Sequence, residues 1–66
     1  MCLATVYKTE GQDATEEVVL NNVSRIYVEG DELRLIDIMG AEVVIEGSIV
    51  FADLAGSVVK IACPAA

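Results

Sequence analysis

Glycines at positions 11, 30, 40, 47 and 56 cut this chain into runs too short for ordinary helices and long enough for strands. No window keeps apolar residues at i, i+3, i+4 and i+7 for ten residues without a glycine or a β-branched stretch interrupting it. Residues 2–9 carry Thr5, Val6 and Tyr7 and end at Gly11-Gln12-Asp13. Residues 16–20 form the next run. Asn21-Asn22, which tolerates left-handed backbone, then separates it from residues 23–29. Gly30-Asp31, set between Glu29 and Glu32, has the composition of a two-residue hairpin loop, so the runs on either side of it pair antiparallel. Residues 32–38, 42–46, 49–53 and 58–62 complete the series, divided by Met39-Gly40, Gly47-Ser48 and Leu54-Ala55-Gly56.

The pattern predicts an all-β domain of six to seven short antiparallel strands over residues 1–63, with residues 64–66 as a frayed tail. Strands this short leave vulnerable edges, and closing them into a small SH3-like barrel removes those edges. Alternation assigns Val6, Ile26, Val28, Leu33, Leu35, Val43, Ile45, Ile49, Phe51, Val59 and Ile61 to the interior. Leu3, Tyr7, Tyr27, Ile36, Ile38, Val44 and Val58 are left for the other faces. With 55% of its 66 residues hydrophobic, the chain has more apolar surface than a monomer of this size exposes. A homodimer would bury the excess.

Charge and composition narrow the function. Four Lys and Arg stand against eleven Asp and Glu, a net charge of −7 that opposes phosphate binding and argues against nucleic acid and anionic membranes. Histidine is absent, which excludes Ser-His-Asp, Cys-His and His-metal arrangements and argues that the chain is not an enzyme. No run approaches the roughly 20 apolar residues of a membrane helix, and a signal-peptide pattern is missing at the start, so a cytoplasmic location is expected. In that compartment Cys2 and Cys63 are thiols or metal ligands before they are a disulfide.

Cys2 is the position with unusual chemistry, because its thiol lies beside the terminal amine. If Met1 is removed, the Cys2 amine and thiolate close a five-membered ring on a metal. If Met1 stays, its amine, the Cys2 amide nitrogen and the Cys2 sulfur are three adjacent donors. Either set presents N and S in a plane, which suits Ni(II) or Cu(II) better than tetrahedral Zn(II). One chain offers too few thiolates for a closed site, whereas two chains related by a twofold axis offer two Cys2 sulfurs to one metal. The bland alternative makes Cys2 a small hydrophobe opening a strand. Cys63, before Pro64, is an auxiliary ligand, a disulfide partner on oxidation, or inert. Glu29, Asp31 and Glu32 cluster at a hairpin tip without calcium-loop spacing and read as a solvated turn, with Arg25 and Arg34 as cross-strand partners for such acids.

The opening Met1-Cys2-Leu3-Ala4-Thr5-Val6-Tyr7 resembles the Met-Cys-Leu-Ala start of the CooT family of small nickel-binding proteins. The rest of the chain agrees in length and order, with Val-Glu-Gly-Asp-Glu-Leu-Arg-Leu at positions 28–35, Asp-Ile-Met-Gly at 37–40, an apolar strand, Gly47 and the closing run at 58–61. The resemblance implies a homodimeric SH3-like barrel that binds Ni(II) through Cys2, associated in some members with nickel delivery to carbon monoxide dehydrogenase. Cys2 is the one ligand it carries over. The expected function is therefore a nickel chaperone or store, with the metal bridging two Cys2 residues. The alternative is a small SH3-like module that binds protein or RNA through Tyr7, Tyr27 and the exposed acids. The RNA form conflicts with one Phe, no Trp and four scattered cations.

Overall fold

A computed structural model describes residues 3–9 and 16–64. These residues form six strands and no helix: β1 (Ala4–Thr9), β2 (Glu16–Glu29), β3 (Glu32–Asp37), β4 (Glu42–Glu46), β5 (Ser48–Asp53) and β6 (Val58–Ala62). With no helix, none is long and apolar enough to cross a membrane. The strands make one mixed sheet in the order β4-β3-β2-β1-β6-β5.

The hairpin at Gly30-Asp31 forms as expected, pairing Glu29 with Glu32 and Val28 with Leu33. Gly30 adopts φ 60 while Asp31 stays at negative φ, which fits a type II′ turn rather than type I′. At the next turn the Asp37 carboxylate accepts hydrogen bonds from the Met39 and Ala41 amides, both at 2.9 Å.

Two of the expected breaks turn out to be bends. Asn22 does take left-handed backbone, at φ 55. It nevertheless sits inside one 14-residue strand, β2, whose first part pairs with β1 and whose second part pairs with β3. Gly47 likewise joins β4 to β5 without reversing the chain. β4 lies on the β3 edge and β5 on the β6 edge, so one nearly continuous run serves both margins of the sheet. Its alanine equivalent would put a Cβ 2.6 Å from the Ala62 carbonyl oxygen, which explains why glycine occupies this corner.

This corner corrects the expected barrel in two respects. The ladder between β1 and β6 is parallel, not antiparallel, running from Thr5 opposite Val58 to Thr9 opposite Ala62. The cause is parity: a chain that fails to reverse between β4 and β5 arrives at β6 pointing the same way as β1. The sheet also remains open, because β4 and β5 follow one another end to end instead of lying side by side. It is still strongly rolled. Five inter-strand steps of about 4.8 Å would hold β4 and β5 ~24 Å apart in a flat sheet. Glu46 and Ser48 flank one residue and are separated by no more than about 7 Å.

The core lies inside the roll, where Val6, Val23, Leu33, Leu35, Val59 and Ile61 are buried and Ala4, Val19, Leu20, Ile26, Ile45 and Cys63 pack against them. Val6, Leu33, Leu35, Val59 and Ile61 were expected there, with Ile26 and Ile45 half-buried beside them. Val43 is also only half-buried. Val28, Ile49 and Phe51 are exposed instead. Val28 stands beside the hairpin tip, and Ile49 and Phe51 lie on an edge strand whose six residues are all exposed. Val23 replaces them because the β2–β3 register shifts between Val23 and Arg25, so Ser24 bulges out and Val23 falls on the same side as Ile26.

Candidate metal centre

The first candidate ligand, Cys2, lies outside the described residues; the site is therefore built from its neighbours in sequence, Leu3 and Ala4. β1 is anchored from its first turns. The Thr5 amide donates to the Ser57 carbonyl at 2.9 Å, and Val6 is fully buried. Ser57 itself has φ 59 at the end of the β5–β6 turn. That turn is fixed by the Asp53 carboxylate, which accepts the Gly56 amide at 3.0 Å.

An apolar groove of about 260 Å³ opens beside this anchored start, lined by Leu3, Ala4, Val23, Ile26, Leu54 and Val59, with Ser24, Arg25 and Ser57 completing its wall. Leu54 remains 72% exposed although it is a large aliphatic side chain. A leucine at the centre of the Asp53-Leu54-Ala55-Gly56 turn, where polar residues usually sit, is the sequence signal that could have marked this surface.

The second thiol is elsewhere. Cys63 is half-buried, packs against the core, and follows the C-terminal end of β6. Because β1 and β6 run parallel, the end of β6 aligns with Thr9, whereas Ala4 marks the opposite end of the pair. Ala4 and Cys63 are thus about six residues apart along the ladder, roughly 20 Å at the strand rise. Two residues of chain preceding Ala4 span at most about 7 Å. A disulfide needs Cα atoms within about 7 Å, far less than the separation of Ala4 from Cys63 along this ladder. Asp31 and Glu46 share a shallow hollow with Cys63, Gly47 and Ser48, but no group of three or more Cys, Asp or Glu among the described residues is arranged to hold a metal ion.

The remaining candidates are structural. Glu29, Asp31 and Glu32 are exposed at the hairpin tip. Arg34 pairs with Glu29 at 3.6 Å and Glu42 at 3.8 Å, and its guanidinium stacks 4.7 Å from the Tyr27 ring centroid. Lys8 meets Glu17 at 3.9 Å and Lys60 meets Glu16 at 2.8 Å. Arg25 lines the groove instead of pairing with the hairpin acids. Carboxylates thus sit beside three of the four cations, a poor arrangement for a phosphate backbone. Tyr7 is half-buried, which removes it from any open aromatic platform.

Comparison with known proteins agrees with this geometry. A family model described as CooT, a CO dehydrogenase accessory protein, matches residues 1–62. The crystal structure of a protein assigned as CooT from Carboxydothermus hydrogenoformans is similar to this chain at 23% identity, with a TM-score of 0.86. The alignment covers 97% of this chain and 100% of that one. At that identity the likeness speaks for the fold. No curated protein sequence matches.

Proposed function

Because this chain belongs to the CooT family of CO dehydrogenase accessory proteins, and is thus an accessory factor rather than an enzyme, we propose that it carries or stores Ni(II) for the maturation of carbon monoxide dehydrogenase. In this reading the metal is cargo, held in the cytoplasm between the Cys2 residues of two chains. The observation that carries the bridging form is the parallel β1–β6 ladder. It puts Cys63 at the end of the sheet opposite Ala4, which supports a reading with one thiol per chain at a metal bound near the chain start. In this reading a second thiolate comes from a second chain.

The apolar groove beside Leu3 supports the same arrangement. A twofold axis near the chain start would let each Leu54 enter the partner's groove while bringing the two Cys2 residues toward one ion. Thiolate sulfur with amine or amide nitrogen is a strong-field donor set, and a d⁸ ion gains most from it in a plane. Cu(II) competes for such donors, so supply in the cell decides which metal is carried. The fold itself needs no metal, since its core is built from β1, β2, β3 and β6.

The test is nickel titration of the wild type and Cys2→Ser, followed by thiolate-to-metal charge-transfer absorption and by circular dichroism. Loss of the absorption with an unchanged β spectrum is expected. Undiminished binding in Cys2→Ser would overturn the reading.

A further inference from the structure

We propose that β5 is a docking edge for an extended segment of another protein, apolar at its centre and flanked by lysine or arginine, which adds to the sheet as a seventh strand. β5 ends the strand order, and β6 is its one ladder partner among the described residues. An edge strand turns alternate N–H and C=O groups outward, where they pair readily with an incoming strand. All six of its residues are exposed, with Ile49 at 42%, Val50 at 57% and Phe51 at 50%. Two of the usual guards are missing: Ser-Ile-Val-Phe-Ala-Asp contains no proline and no cation. A bulge at Val50 is its one irregularity, which keeps any added ladder short. The opposite edge, β4, is by contrast closed at both ends by glutamate, Glu42 and Glu46.

Charge identifies the occupant. Asp53 stands at one end of β5, and Asp31 and Glu46 share a hollow with Ser48 at the other. The nearby cation, Lys60, lies over the Phe51 ring at 5.5 Å and is already paired with Glu16. An apolar segment with basic flanks therefore meets complementary charge at both ends. A second copy of β5 does not, since antiparallel self-pairing brings its Asp53 toward Glu46 and Asp31. A self-paired β5 would also send the two chain starts to opposite ends, because Asp53, Val58 and Thr5 are aligned across the sheet. That last point rests on the nickel reading; the charge argument does not.

The probes are two peptides with one core, Lys-Lys-Val-Thr-Val-Thr-Lys-Lys and Glu-Glu-Val-Thr-Val-Thr-Glu-Glu, titrated into the full-length protein while amide shifts and hydrogen exchange are followed. The basic peptide is expected to shift and protect amides of residues 48–53, to bind about tenfold or more tighter than the acidic one, and to weaken with salt. Glu46→Gln with Asp53→Asn should lower its affinity several-fold; the asparagine retains an acceptor for the Gly56 amide. Equal binding of both peptides, absence of protection at residues 48–53, or protection that rises with protein concentration alone would overturn the proposal. Nickel titration of the same samples reports separately on the metal reading.

Discussion

Replacing Gly47 by alanine tests the corner on which the whole topology turns. The new Cβ would lie 2.6 Å from the Ala62 carbonyl oxygen and 3.5 Å from the Cys63 Cα, both backbone atoms, whereas real Cβ atoms essentially never approach closer than 3.0 Å. Backbone on one side must therefore move by about 0.4 Å or more. Forcing an extra methyl into a packed position costs about 1–3 kcal/mol. The restricted unfolded chain offsets about 0.4–1 kcal/mol of this. A net loss of about 1–2 kcal/mol remains, and in a domain of this size each kcal/mol moves the midpoint by roughly 4–8 °C. Thermal unfolding by circular dichroism should thus show Gly47→Ala melting about 5–15 °C below wild type. Protein concentration must be matched, because association makes the midpoint concentration-dependent. Gly56→Ala is the control: its Cβ would meet the Asp53 Oδ2 atom at 2.7 Å, the end of a side chain that can turn aside. Its loss should be smaller. A Gly47→Ala variant that melts at or above wild type would refute the close-approach account of this corner.

Leu54→Lys, at a side chain 72% exposed on the groove, should leave the monomer folded and abolish the proposed dimer, read by sedimentation of wild type and variant at micromolar concentration. A dimer that persists would remove the groove from the interface. Cys63→Ser should retain nickel affinity within a few-fold by calorimetry, since Cys63 lies at the far end of the β1–β6 ladder. Nickel affinity should rise with pH, with protons released on binding, because thiol and nitrogen donors must be deprotonated; titration in buffers of different ionisation enthalpy measures the number.

Much of the fold was legible because alternation and turn residues speak directly to local backbone. The Gly30-Asp31 hairpin, the Asp37–Gly40 turn, and Val6, Leu33, Leu35, Val59 and Ile61 in the core all follow from that reading. The errors share one cause. Asn22 and Gly47 announce unusual backbone, but composition cannot say whether such a position reverses the chain or bends it. At both places the chain bends and continues, which merged two expected strands into β2 and left the roll open, with β4 and β5 on opposite edges. The bulge at Ser24 then moved Val23 inward, and the edge position of β5 moved Ile49 and Phe51 outward. Neither register nor edge status is a local property. For the proposed metal centre, Cys2 is named from donor chemistry and from the opening residues alone, and it lies outside the described residues. The place of Cys63 was not legible, because its distance from the chain start depends on the direction of β6.

The central claim is that two chains share one nickel ion through Cys2, and counting metal per chain tests it most directly. Native mass spectrometry of the nickel-loaded protein, checked by equilibrium dialysis, should give one nickel per two chains at the dimer mass, with the metal lost in Cys2→Ser and kept in Cys63→Ser. One nickel per chain on a monomer, or the same stoichiometry in Cys2→Ser, would contradict it.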